Sequence, residues 1–71
     1  MSSWPAVKAK RVKDALFRIG WIKVRQRGTS HLILRHSNFG TYVWSFHDSE
    51  EIGPRMMARI GKKTGLTPDD L

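Results

Sequence analysis

The sequence predicts a small α+β domain with the element order helix, three antiparallel strands, helix. Two observations carry this prediction: the apolar period changes from 3.6 to 2 and back along the chain, and short turn-forming segments separate the β-prone stretches. A chain of 71 residues folds as one domain, here residues 1–71, with a thin core. Because a three-stranded sheet is not stable alone, both helices are expected on one face, leaving the other open to solvent.

The first helix is predicted from its start signal and its apolar stripe. Ser2 and Ser3 before Trp4-Pro5 are typical of an N-cap followed by proline in the first turn. The helix then ends at Gly20, which can adopt the left-handed cap conformation. The apolar stripe consists of Val12, Ala15, Leu16 and Ile19.

Three segments rich in β-branched and aromatic residues follow, at 21–26, 31–36 and 41–46. Gly28-Thr29-Ser30 separates the first two, and 37–40 is a turn between the last two. Connections this short predict an antiparallel meander.

The C-terminal part begins with a polar, exposed segment over residues 47–51. A second helix is predicted from Pro54 to Thr64, because proline suits its first turn and Gly65 its end. Residues 67–70 resemble the cap of one last short turn. The complete arrangement is similar to the double-stranded RNA-binding domain.

The charge is strongly basic and unevenly distributed. Of the formal +7, residues 1–35 contribute nine bases and one acid, and residues 36–71 contribute four bases and five acids. This asymmetry indicates a surface for a polyanion. A merely solvated face is the alternative interpretation. A membrane partner is not expected, since the basic first helix lacks a broad face of large apolar residues.

Several function classes find no support. The absence of cysteine removes disulfides and thiolate metal sites, and with no signal-like N-terminus it favours the cytoplasm. No zinc spacing or nucleotide-binding glycine loop occurs, and the acids around Asp48 are typical of a solvated loop. No metal and no cofactor are therefore expected.

Histidine is the remaining candidate for chemistry, because it accepts and donates protons near neutral pH. RNA supplies its own nucleophile, the 2′-hydroxyl, so one histidine with nearby cations can suffice for strand cleavage. DNA lacks that hydroxyl and would be inert. The three candidates are His31, His36 and His47.

His31 is the best placed of the three. It opens the second strand directly after the Gly28-Thr29-Ser30 turn, whose amides and hydroxyls can bind phosphate. If Leu32 and Leu34 face the core, then His31 and Arg35 lie on the opposite face. The candidate RNA-binding residues are Lys23, Arg25, Arg27, Gly28, Thr29, Ser30 and Arg35, with Lys8 and Arg11 as weaker candidates.

The other two histidines have smaller predicted roles. His36 lies beside a turn and is expected to have no chemical role, whereas His47 ends the third strand and is a candidate helper. The aromatic residues Trp21, Tyr42 and Trp44 are candidates for base stacking on the open face, and at least half of them are expected in the core instead.

The pattern resembles the HicA family of mRNA interferase toxins. The similarity rests on Gly20-Trp21, on the segment from Arg25 to His31, on 43–47, and on Glu51-Ile52 with Gly65-Leu66. It implies a toxin of a type II toxin–antitoxin system, namely a metal-independent endoribonuclease on the double-stranded RNA-binding fold. It further implies His31 as the catalytic residue and a HicB-type antitoxin that covers it.

This chain departs from the family pattern at two places. Ser30-His31 replaces two adjacent histidines, which leaves only His31 as the catalytic match, and Arg55-Met56 replaces a Gly-Thr pair at the start of the last helix. Two other interpretations remain open: a non-catalytic RNA-binding module of the same fold, and a DNA-binding domain.

Overall fold

The computed structural model describes residues 3–28 and 31–71, arranged as two helices, five strands and one short 3-10 helix. In chain order the elements are β1 (Val7–Lys8), α1 (Ala9–Arg18), β2 (Ile22–Arg27), β3 (His31–His36), β4 (Gly40–Trp44), β5 (Glu51–Ile52), α2 (Pro54–Thr64) and the 3-10 helix Pro68–Asp70.

The main sheet contains β2, β3 and β4 in that order, and both pairs are antiparallel. Its central strand, β3, pairs Leu32 with Trp44 and Leu34 with Tyr42 of β4. On the other side, the β2–β3 register shifts between Lys23 and Arg25, which marks a β-bulge at residue 24. The predicted meander is confirmed.

Both helices contribute to one core against the same face of the sheet. Leu34 and Trp44 are the buried residues of the main sheet, and the side chains of both helices lie in the same buried cluster. The helical members are Ala9, Val12, Ala15 and Leu16 of α1 and Met57 and Ile60 of α2. The predicted α+β fold is therefore confirmed, and we call the two sides of the sheet the helix-covered face and the open face.

The prediction for the start of α1 is wrong. Residues 3–6 are not helical, and α1 begins only at Ala9, with Lys8 as an N-cap that makes no side-chain hydrogen bond. Instead, β1 pairs with β5, and the Ala9 N–H donates to the Glu50 carbonyl at 2.8 Å. Burial of Val7 against Ile52 explains why this long-range pairing outweighs the local start signal around Pro5. Ser2 lies outside the described residues.

The remaining boundaries agree with the predictions to within two residues. β2 begins one residue later than predicted and includes Arg27, and β4 ends at Trp44 rather than at residue 46. α2 has the predicted limits, and Gly65 ends it in the left-handed conformation with φ of 79°. Thr67 and Asp70 form a reciprocal capping box around the last short turn. Among the described residues no helix is long and apolar enough to span a bilayer.

Candidate nucleic-acid interface

His31 lies where the sequence predicts it, on the open face of the sheet. It is the first residue of β3, and its side chain is exposed. Leu34 is fully buried and Leu32 packs against the core, so the alternation along β3 directs His31 and Arg35 away from the helices. His31 is therefore accessible to a large substrate.

Two arginines share the open face with His31. Arg25 stands opposite Ile33 in the register and Arg35 stands opposite Ile22, and both arginines are exposed. Neither forms an ion pair with a described residue. Their guanidinium groups are thus available to a polyanion that lies along the open face.

The turn between β2 and β3 is described only in part. Gly28 is exposed and has φ of 61°, a left-handed conformation that favours glycine. The backbone of Arg27 pairs with His31. Thr29, Ser30 and the side chain of Arg27 lie outside the described part of the chain, so their predicted contacts with phosphate stay predictions.

Lys23 does not join this group. It pairs with Leu34, which places it on the helix-covered face, while Arg25 pairs with Ile33 on the open face. In a regular strand residues 23 and 25 would share a face, and the bulge at residue 24 separates them. The structure therefore places His31, Arg25 and Arg35 on one face, with Arg35 near the opposite end of β3 from His31, and it places Lys23 on the other face.

His47 lies at the same end of the sheet as His31 but lines a cavity on the helix-covered face. It follows β4, and its backbone N–H donates to Oε1 of Glu50 at 3.2 Å. A role as a catalytic helper would require substrate to bend around the end of the sheet. Its predicted role stays a prediction.

His36 is held in place by hydrogen bonds and packing, and the expectation that it has no chemical role stays a prediction. The Asn38 N–H donates to Nδ1 at 3.0 Å, so Nε2 carries the proton and donates to the Ile19 carbonyl at 2.9 Å. The ring also packs against Trp21, with centroids 5.3 Å apart. Both ring nitrogens are thereby engaged.

The aromatic residues proposed for base stacking are not on the open face. Trp21 and Trp44 are buried, and Trp21 Nε1 donates to the Thr64 carbonyl at 3.1 Å. Tyr42 is half-buried on the helix-covered face, and burial raises the pKa of its hydroxyl. The expectation that at least half belong to the core is confirmed. The open face carries aliphatic side chains instead: Ile22, Val24 and Val43 are 59%, 46% and 52% exposed.

One ion pair links α1 to the segment after β4. Lys13 Nζ lies 2.8 Å from Oδ1 of Asp48, and this hydrogen bond holds the pKa of the Asp48 carboxyl below its usual value. Within the described residues, the His, Asp and Glu side chains form no group of three that could hold a metal ion.

Two features of the surface were not predicted from the sequence. One is the cavity that Lys23 and His47 help to line, which assembles residues from α1, all three strands and the segment after β4. Its best sequence signal is Phe17, an aromatic residue that falls outside the apolar stripe of α1. The other feature is the exposed cationic side of α2, formed by Arg55, Arg59, Lys62 and Lys63. The four bases and five acids of residues 36–71 nearly cancel in the net charge of this half of the chain. That net charge does not reveal the cationic side of α2, because all five acids lie outside this helix.

The fold and the His31 surface define a class: small α+β domains of two helices on a three-stranded sheet, with a cationic open face. Residues 9–66 match the family described as the HicA toxin of bacterial toxin–antitoxin. The chain belongs to the HicA toxin family, which confirms the resemblance in the sequence and assigns it a toxin role with an antitoxin as partner. Comparison with curated proteins and with solved structures gives no match.

Proposed function

We propose that this toxin is an mRNA interferase, an endoribonuclease that cleaves RNA in the cytoplasm with His31 as general acid or base. The observation that carries the proposal is the exposure of His31 on the open face of the sheet, which it shares with the exposed arginines Arg25 and Arg35. Family membership supports the toxin role, and the strongly basic N-terminal half supports a polyanionic substrate.

The chemistry needs few protein groups, because RNA supplies the nucleophile. The 2′-oxygen attacks the adjacent phosphorus and the bond to the 5′-oxygen breaks, giving a 2′,3′-cyclic phosphate and a 5′-hydroxyl. His31 either takes the proton from the 2′-hydroxyl or gives one to the departing 5′-oxygen. Arg25, the nearer of the two arginines to His31 in the register, stabilises the additional negative charge on the phosphorane, and Arg35 binds the strand further along the open face. The reaction as written uses neither a metal nor a cofactor.

We assign RNA binding to cationic and turn residues on and beside the open face. Arg25 and Arg35 bind phosphates on the open face, and the turn at Gly28 with Arg27, Thr29 and Ser30 binds the backbone next to the cleaved bond. Lys23, on the other face, contacts a more distant part of the strand. Helix α2, whose first turn carries Arg55 in place of the family's Gly-Thr pair, adds a cationic surface.

The antitoxin partner is proposed to be of the HicB type and to cover His31. The aliphatic side chains Ile22, Val24 and Val43 lie exposed on the open face beside the charged residues. An apolar patch of this kind rimmed by cations is typical of a protein interface. A protein that covers it would prevent RNA from reaching His31, which accounts for inhibition without a change in the toxin's fold.

A chimeric oligonucleotide tests the reaction directly. We expect a DNA strand with one internal ribose to be cut only after that ribose, in EDTA, leaving a 2′,3′-cyclic phosphate. The matched all-DNA strand should remain intact. Cleavage of the all-DNA strand, or loss of cleavage in EDTA, would overturn the mechanism.

The same oligonucleotides distinguish a non-catalytic RNA-binding module. If RNA is bound but never cut, the affinity should fall with salt, with a log–log slope of about −3 for roughly four neutralised phosphates. Tight binding with intact RNA would favour this second interpretation over the endonuclease.

A further inference from the structure

A cavity of about 500 Å³ lies at the His31 end of the sheet, on the helix-covered face. Phe17 and Lys13 of α1 form one side of it, Lys23 and Gln26 of β2 a second, and Leu32, Trp44 and the segment 46–48 the remainder. Its volume is within the range of about 300–1,000 Å³ that is typical of small-ligand sites. Neither the family match nor the His31 chemistry assigns it a role.

Trp44 contributes to the lining of the cavity but is only 1% exposed. Its Nε1 makes no hydrogen bond with any described residue, whereas Trp21 Nε1 donates to the Thr64 carbonyl. Because the Trp44 Nε1 atom has almost no accessible surface, it is covered by other atoms and does not offer a free donor to a ligand in the cavity. The contacts available to a ligand come from the more exposed side chains of the lining.

The charges in the cavity favour an anion. Lys13 is paired with Asp48 at 2.8 Å, so these two side chains neutralise each other. Lys23 has no ion pair with a described residue, and its ammonium group supplies the net positive charge of the cavity.

The apolar part of the lining favours a flat, aromatic ligand. Phe17 is 39% exposed at the cavity although it is a large aromatic residue, and Phe46 contributes a second ring that packs edge-on against Trp44 with centroids 5.0 Å apart. Aromatic side chains of this kind stack on nucleobases. A carboxylate-rich peptide would pair with Lys23 but would leave both phenylalanine rings unused.

We propose that this cavity is a nucleotide subsite. One base of a single-stranded RNA stacks on Phe17, and the phosphate of the same nucleotide binds Lys23. The subsite rests on the proposed ribonuclease function for its biological purpose. Leu32 lines the cavity and His31 precedes it on the opposite face, so an RNA strand that bends around this end of the sheet occupies both sites.

Nitrogen-15 NMR of the intact chain tests the subsite. Titration with the four nucleoside 5′-monophosphates should shift the indole N–H signal of Trp44 for at least one base, because Trp44 belongs to the lining beside the stacked base, while the signal of Trp21, which does not line the cavity, stays in place. Inorganic phosphate alone and the free nucleoside should each bind more weakly than the monophosphate. No shift at Trp44 with any nucleotide, or an equal response to a short acidic peptide, would overturn the proposal.

Exposed side chains provide variants that should retain the fold. Phe17→Ala should weaken nucleotide binding by about 5- to 100-fold, since base stacking on an aromatic ring contributes about 1–3 kcal/mol. Lys23→Met should weaken it by about fivefold. The matched controls are Met56→Ala, which is similarly exposed, and Lys10→Met, which removes the same charge from an exposed position of α1 outside the cavity lining. Equal losses in the controls would refute the subsite.

The subsite and the ribonuclease activity can fail separately. If wild-type protein cuts RNA but no nucleotide shifts Trp44, only the subsite is wrong. If nucleotides shift Trp44 but RNA is never cut, the subsite stands and the catalytic proposal is wrong. If the subsite and the ribonuclease activity are both present, Phe17→Ala should raise KM and leave kcat within about threefold. The same variant should show a weaker preference for a particular base beside the cleaved bond.

Discussion

The two ends of the main sheet differ in how their side chains are used. At one end, where β3 begins, His31 is exposed, and Leu32 and Gln26 line the cavity. At the other end, where β3 finishes, His36 is held by two hydrogen bonds and packs between Trp21 and Phe39. The same strand thus carries one histidine that is free to react and one that is part of the packing.

This difference shows that the residue type alone does not determine what a histidine does in so small a domain. His31 and His36 are five residues apart, so the alternation of β3 places them on opposite faces. Only the open face gives an imidazole access to a polymer. On the helix-covered face the ring of His36 fills space beside Gly20, where a Cβ atom would lie 2.9 Å from its Nε2.

The largest expected effect is at the His31 end. His31→Ala should lower the rate of RNA cleavage by about 10²- to 10⁴-fold, the usual contribution of one general acid or base. Because His31 is exposed, the urea midpoint should not change. His47→Ala is the matched control and should reduce the rate far less. Full activity in His31→Ala would show that the exposed histidine at this end of the sheet is not catalytic.

At the packed end, His36→Ala should affect stability instead. Its removal leaves the Ile19 carbonyl and the Asn38 N–H without their partner, and we expect a loss of about 1–3 kcal/mol in urea unfolding. Cleavage per folded molecule should stay unchanged at a temperature well below the transition. A specific loss of activity with unchanged stability would show that His36 takes part in the chemistry.

A double-mutant cycle tests whether Gly20 and His36 form one packed unit. Gly20→Ala should destabilise for two reasons: φ of 109° is unfavourable for alanine, and the new Cβ meets the His36 ring. In the His36→Ala background only the first reason remains, so the cost should fall by about 1 kcal/mol. Additive costs would mean that the ring and the glycine are independent.

The smallest effect concerns the ion pair near the His31 end. Lys13 lowers the pKa of the Asp48 carboxyl, so the pair stabilises the fold above the ordinary carboxyl pKa of 3.8 and loses this effect as pH falls through the lowered value. Asp48→Asn should therefore be slightly less stable than wild type at neutral pH and equal to it in strong acid. Added salt should shrink the difference, since Asp48 is solvent-exposed. Asp69→Asn is the control, and an equal pH dependence there would contradict the assignment.

Sequence reasoning predicts the elements whose signals are local. β3 and α2 have the predicted limits, because β-branched residues, a proline in the first turn and a left-handed Gly65 each act within a few residues. The placement of His31 on the open face follows from the same alternation. Family membership is likewise predicted from the motifs and confirmed by the match over residues 9–66.

Features that depend on distant contacts are not predictable in this way. The start of α1 is displaced because Val7 pairs with Ile52, and Trp4 packs against the core. The bulge at Val24 separates Lys23 from Arg25, yet valine there looks like any other strand residue. The cavity cannot be read from the sequence for the same reason, since α1, the sheet and the segment after β4 must assemble before it exists.

The short pairing of β1 with β5 has a consequence for the order of folding. The two hairpins of the main sheet join neighbouring segments, whereas β1–β5 connects the residues before α1 with those before α2. Closing so long a loop is slow relative to forming a hairpin. We therefore expect the amide of Ala9, bonded to Glu50, to gain protection from hydrogen exchange later than the amides of β3 during refolding. Pairing of the N-terminal segment with β5 would then fix the positions of both helices only after the main sheet has formed.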